Sequence, residues 1–316
     1  MVKELAIRTC GLTKQFERHV AVNDVDLEIP GGEVYGLIGP NGAGKTSLIR
    51  MLAAAEEPTM GEIYINGDRL RLDKSNSHLK RHLGYLPDDY PLYEDLTVWD
   101  YLDYFARLYR LREPRRTQRL HQVLELIQLE NKRHSLISTL SRGMKQRLSL
   151  ARTIIHEPIL LLLDEPVSGL DPIARMQFRQ IIKSLQEAGM TILISSHVLS
   201  DLAELCTSVG IMELGFLVES TSLQELYKRL SRQQMILSTL GSLKSLESEL
   251  KNCPFVNEWE QIPDKNSLRV NFSGTQEDAA DLLRSLIVSG IPITDFHCTQ
   301  EDLESIFLKL GHKQAS

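Results

Sequence analysis

The nine residues GPNGAGKTS (39–47) stand between an apolar run, EVYGLIG (33–39), and a helical pattern, SLIRMLAA (47–54). In that context glycines let the backbone curl until its N–H groups face the β-phosphate of a nucleotide. Lys45 then reaches the β- and γ-phosphates, and the Thr46 hydroxyl ligates Mg²⁺. Such a loop works when a buried strand delivers it and a helix N-terminus backs it. The chain is therefore read as α/β, with this loop as its phosphate site.

Two more apolar runs, ILLLLDE (159–165) and TILISS (191–196), have helical patterns after them. The first two-thirds of the chain thus read as a buried parallel sheet with intervening helices. Carboxylates at the end of the first run fall where such sheets place their ligands. Asp164 is assigned to the Mg²⁺ shell and Glu165 to the proton of the attacking water. A helix cap with a first-turn acid is the structural alternative for the pair. His197 follows the second run on the same sheet edge, placed to hydrogen-bond a γ-phosphate. Asp171 and Pro172 cap the next helix, with Gly189 beyond its end.

A long helical stretch runs from about 92 to 157. One helix starts at TVWD, where Thr97 and Asp100 form a capping box, and carries Val98, Leu102, Phe105 and Tyr109 on one stripe. Further on, LSRGMKQR (140–147) precedes a helix whose Leu148, Ala151 and Ile154 share a face. A serine and a glycine at a helix start form an anion site, in a chain that already has one. The basic run RLYRLREPRRTQR (107–119) reads as a solvated helix face or as a contact for anionic head groups.

With 316 residues, 42% hydrophobic and 25% charged, the chain has the balance of a globular protein of about two domains. A net charge of -6 argues against bulk nucleic-acid binding. Lys3, Glu4 and Arg8 occupy the place of a signal peptide's apolar stretch, and no window approaches the roughly 18 apolar residues of a membrane helix. A chain made and kept in the cytosol is expected. Cys10, Cys206, Cys253 and Cys298 have no paired spacing and receive no function. From 222 onward, strands at 234–240, 255–262, 267–273 and 292–298 and helices at 242–252 and 276–289 give the order β-α-β-β-α-β. That order predicts a ferredoxin-like α+β unit, with a last helix at 301–310.

In chain order, GPNGAGKT, GYLPD (84–88), LSRGM, ILLLLDEP, SGLD (168–171) and SSH (195–197) make residues 1–221 resemble the ATP-binding subunit of ABC transporters. The resemblance implies a P-loop NTPase core with an N-terminal antiparallel β part and a helical subdomain, followed by a C-terminal accessory domain, 222–316. It implies ATP and Mg²⁺ as cofactors. Gly39, Asn41, Gly42, Gly44, Lys45, Thr46 and Ser47 would hold the phosphates, and Phe16 would stack on adenine, hydrophobic packing being its alternative. Glu165 and His197 would be catalytic, and Thr46, Asp164 and Asp88 would meet the metal.

In that family the segment at Ser141 and Gly143 meets the ATP of the opposite subunit in a head-to-tail dimer, and Asp171 lies in the loop that crosses the interface. A side chain at Gly143 would then stand between the helix and the incoming phosphate. Three positions depart from the family's commonest pattern. Arg142 replaces a glycine, Met144 replaces a glutamine, and Asp88 stands where a glutamine usually links nucleotide to membrane partner, with Asp89 as the competing ligand. The ending LESIFLKL resembles exporter ATPases of the drug-resistance, polysaccharide and gliding-motility kind. ATP hydrolysis driving export through a separate integral membrane permease is implied, with an identical or related ATPase subunit, no nucleic acid, and a place on the inner face of the cell membrane. The alternative is a soluble ATPase of this type acting on ribosomes or DNA.

Overall fold

Along Leu5–Phe16 buried and exposed residues alternate irregularly, the pattern of a strand with one face on a core. The computed structural model describes residues 4–71, 77–197, 202, 204–230, 233–263 and 266–299. Strand β1 (Leu5–Phe16) pairs antiparallel with β2 (His19–Val25), β3 (Glu28–Pro30) and β5 (Met60–Ile65), and β5 pairs with β6 (Asp68–Arg69). Strand β4 (Val34–Ile38), buried at every residue, belongs to a second sheet. Its order is β11 (Phe216–Ser222), β10 (Ser208–Glu213), β4, β9 (Thr191–Ser196), β8 (Leu160–Leu163), β7 (Leu83–Leu86). Neighbours in it are parallel except for the hairpin of β10 and β11.

Helix α1 (Lys45–Leu52) follows β4. Its Leu48, Ile49, Met51 and Leu52 share one core with Ile7, Leu12, Ile29 and Ile63 of the antiparallel sheet and with Leu37, Leu162 and Leu193 of the parallel one. Each such burial contributes about 1.5–3 kcal/mol, so the helix that carries the phosphate loop is tied to both sheets.

After the short α2 (Ser77–Arg81) and β7 come α3 (Val98–Leu108), α4 (Arg115–Leu126) and α5 (Arg142–Ile154), which pack on one another. Thr97 caps α3 as expected, its Oγ1 accepting from Asp100 N at 3.1 Å. The buried stripe differs from the expected one: Val98 and Leu102 are joined by Tyr101 and Ala106. Tyr109 is exposed because α3 stops at Leu108, and its ring stacks on His156 at 3.9 Å. Leu148, Ala151 and Ile154 are buried, but so are Gly143, Gln146, Arg147 and Ser149, since α3, α4, β7 and α6 (Pro172–Glu187) all pack on α5. The basic run is largely an internal ion-pair network. Arg107 and Arg116 reach Asp103, Arg115 and Arg119 reach Glu157, and Arg119 Nη2 donates to the Ile154 carbonyl at 2.7 Å.

The chain divides into two compact units, Met1–Leu223 and Gln224–Ser316. Helix α7 (Leu223–Leu230) begins at the division. In the second unit β12 (Gln233–Thr239), β13 (Val256–Gln261), β14 (Ser267–Phe272) and β15 (Ile293–Thr299) form an antiparallel sheet in the order β13-β14-β12-β15. With α8 (Leu243–Leu250) after β12 and α9 (Gln276–Val288) after β14, this is the ferredoxin-like arrangement. Met235, Leu237, Leu246, Leu268, Phe272 and Leu286 lie in its core. Thr275 and Asp278 close a capping box on α9. The expected helix at 301–310 lies outside the described residues. Among those residues no helix is long and apolar enough to cross a membrane.

Candidate functional site

The loop from Gly39 to Gly44 closes tightly because two backbones crowd it. A Cβ at Gly39 would sit 2.3 Å from the Met212 carbonyl oxygen, and one at Gly44, whose φ is +102°, would sit 2.1 Å from that of Ala21. Gly44 caps α1 without a side-chain acceptor, so the helix N-terminus presents its N–H groups to the loop. Lys45 is buried. Its Nζ donates to the carbonyls of Gly39 at 2.7 Å and Pro40 at 3.3 Å and stands 3.4 Å from Glu165 Oε1. The adjoining cleft, about 340 Å³, is lined by Phe16, Asn41, Gly42, Thr46, Asp88 and Glu165 among others. Gly44 and Ser47 also border it. Phe16 is 43% exposed and lines the cleft rather than a core, with Lys14 Nζ over its ring 4.9 Å from the centroid.

Parallel register brings the ends of β8 and β9 together. Leu163 on β8 pairs with Ile194 on β9, which sets Asp164 beside Ser195. Ser195 Oγ donates to Asp164 Oδ1 at 2.7 Å and accepts the backbone N–H of Glu165 at 2.9 Å. Asp164 is 1% exposed, and its Oδ2 has no hydrogen-bond partner. Burial raises its carboxyl above the usual carboxylate range; the Ser195 and Thr46 hydroxyls oppose this, and the charges of Glu165 and Asp88 reinforce it. A buried, unpartnered carboxylate oxygen beside a threonine hydroxyl fits a hard cation. No cluster of three or more His, Cys, Asp or Glu side chains forms a metal site among the described residues.

Glu165 has φ +48°, a left-handed backbone for a non-glycine residue. That turn aims its carboxylate back over the loop. Oε1 faces Lys45, while Oε2 lies 2.7 Å from His197 Nδ1 and accepts the His197 backbone N–H at 3.4 Å. A carboxylate braced between an ammonium and an imidazole is equipped to take a proton from water. His197 thus stands at this edge with its Nδ1 turned to Glu165. Leu86 on β7 pairs with Leu163, which carries Asp88 to the same edge. Asp88 lines the phosphate-loop cleft, whereas Asp89 borders a neighbouring one with Asp88, Arg142 and Lys145.

Ser141, Gly143 and Asp171 stand at two helix N-termini away from the loop. Ser141 Oγ accepts from Met144 N at 3.3 Å, and Asp171 Oδ1 accepts from Ala174 N at 2.9 Å. Gly143 is buried, and a Cβ there would meet Ala174 Cβ at 2.7 Å. Its missing side chain points at α6, so close helix packing explains the glycine. Sequence reading gave no role to Ser195. The available signal was that the second of two adjacent apolar runs ends in consecutive hydroxyl residues, one of which must lie beside Asp164.

A family model described as ABC transporter matches residues 22–168. The bacitracin transport ATP-binding protein BcrA of Enterococcus faecalis is 35% identical over 314 residues, covering 98% of this chain and 97% of that protein. The uncharacterized ABC transporter ATP-binding protein YxlF of Bacillus subtilis is 35% identical over 302 residues, covering 95% and 98%. A solved ATP-binding subunit of an ABC transporter superposes with a TM-score of 0.63 at 30% identity, over 71% of this chain and 92% of that one. The ATP-binding cassette MJ1267 in its ADP conformation shares the fold, with a TM-score of 0.64 at 19% identity over 72% and 94%. The phosphate loop, the paired strand ends and these likenesses agree, and the chain belongs to the ATP-binding subunits of ABC transporters, a family of ATPases.

Proposed function

We propose that this chain hydrolyses ATP within a head-to-tail pair of ATPase subunits and thereby drives export through a separate membrane-spanning permease. The observation that carries the hydrolytic reading is Glu165, held by Lys45 and His197 and next in the chain to Asp164. Thr46, Asp164 and Asp88 would hold Mg²⁺, which when bound offsets the negative charge of the phosphates. Lys45 exchanges its carbonyl partners for phosphate oxygens, Phe16 covers the adenine, and Glu165 accepts the proton of the attacking water. Ser141, Gly143 and Asp171, far from this chain's own loop in function, serve the nucleotide of the other subunit. The C-terminal unit acts as an accessory domain, and the protein sits peripherally on the inner face of the membrane.

Export is supported by relatives matched nearly end to end. Two of them, from Enterococcus faecalis and Bacillus licheniformis, are named for bacitracin transport at 35% and 32% identity. A peptide antibiotic of that class is accordingly the cargo to try first. The test is co-purification with a membrane-spanning partner, followed by reconstitution into vesicles. ATP-dependent movement of bacitracin, abolished by Lys45→Ala, is the expected result. ATPase activity indifferent to every membrane partner, with the chain sedimenting on ribosomes, would establish the soluble alternative instead.

A further inference from the structure

Arg142 occupies the first position of α5, where a cation works against the helix dipole. What holds it there is a loop from the catalytic edge. Its Nη2 donates to the Ser168 carbonyl at 3.1 Å, and a Cβ built on Gly169 would fall 2.5–2.6 Å from the guanidinium atoms. Gly169 also has φ +66°, so its conformation calls for glycine, and the guanidinium packs over it. The same loop is fastened at its other points. Ser168 N donates to the Glu165 carbonyl at 3.1 Å, and Arg175 Nε donates to the Leu170 carbonyl at 3.0 Å before α6 begins. Arg142, Ser168 and Glu165 border one cleft of about 390 Å³.

We propose that Arg142 is a positioning residue that fastens the Glu165-to-Asp171 loop to the N-terminus of α5, so that the two shift as one body. The proposal rests on the reading above, in which Ser141 meets the other subunit's nucleotide. Closure on that nucleotide then moves the start of α5, and the Arg142–Ser168 contact passes the displacement to Glu165, the base of this chain's own site. A flat guanidinium suits this task because it covers Gly169 while donating to Ser168 at its edge; a lysine has the charge without the plane.

Two measurements on the full chain decide it. Amide exchange across 166–171, read without nucleotide, should be roughly tenfold faster in Arg142→Ala than in wild type. Gly169→Ala should add less in the Arg142→Ala background than in wild type, since both changes remove one contact. In steady-state ATP hydrolysis, Arg142→Ala should lower kcat roughly tenfold with KM within about twofold, and Arg142→Lys should restore part of kcat. Unchanged exchange in Arg142→Ala overturns the proposal, and so does a loss confined to KM, which would make Arg142 a direct nucleotide contact. Absence of ATPase activity in wild type would instead overturn the proposed function, and the exchange arm would still judge the Arg142 contact.

Discussion

Ser195 donates its hydroxyl proton to Asp164 Oδ1 at 2.7 Å and, with the same oxygen, accepts the N–H of Glu165 at 2.9 Å. One buried side chain on β9 therefore sets both the carboxylate assigned to the metal and the backbone of the base.

Ser195→Ala takes from Asp164 Oδ1 the hydroxyl that donates to it and leaves the Glu165 N–H without its acceptor. The expected cost is about 1–3 kcal/mol of stability, together with roughly tenfold slower ATP turnover from a loosened Glu165. Urea unfolding measures the first and a steady-state assay the second. Wild-type stability in the mutant would show that the contact is incidental.

Asp164 carries the clearest pH signature. Its carboxyl is raised by burial, so the folded chain binds a proton there more tightly than the unfolded chain does. By linkage, stability falls as pH rises from the unfolded pKa through the folded one, and above that window the ionised group opposes folding. Asp164→Asn should thus melt higher than wild type at about pH 8, with the gain shrinking toward about pH 4. An equal shift at both values would rule out the charge as its cause.

Glu165→Gln keeps the length of the side chain and removes the base. Turnover should drop by roughly 10²- to 10⁴-fold, while ATP binds at least as well because Lys45 loses a competing carboxylate. A dimer should accumulate on size exclusion with ATP and Mg²⁺. A mutant that remains monomeric with its ATP sites filled would count against the head-to-tail pair.

Gly143→Ala forces a methyl group against Ala174. The expected penalty is about 1–3 kcal/mol of stability, and Ala174→Gly in the same chain should relieve most of it. A double-mutant cycle on denaturation midpoints measures this. If the second change restores nothing, helix packing is not why glycine stands at this position.

Asp88→Asn keeps the reach of the side chain and removes its charge. It should raise the Mg²⁺ concentration giving half-maximal ATPase activity by more than it alters binding of metal-free ATP. Asp89→Asn, one residue outside the phosphate-loop cleft, should leave the midpoint near wild type. The reverse ranking in a Mg²⁺ titration would transfer the metal role to Asp89.

Features carried by neighbouring residues were legible in the sequence. Gly39 to Ser47 announce a loop and helix, Thr97 and Asp171 are caps, and the run 267–273 reads as a strand, because each signal is complete within a few residues. What escaped reading depends on register or packing between distant segments. Ser195 acquires its partners when β8 and β9 align, Arg142 meets Gly169 across 27 positions of sequence, and Gly143 faces Ala174 because α5 and α6 come close. Tyr109 was misassigned for a related reason: periodicity alone could not say that α3 stops one residue before it.

The left-handed backbone of Glu165 limits how this site can be lost. At φ +48° a branched side chain is strongly disfavoured and glycine fits without strain. Replacement by glycine would remove the base yet relieve backbone strain of about 1 kcal/mol. The same replacement would take the carboxylate away from the buried Lys45 ammonium 3.4 Å from it, a loss that outweighs the strain released.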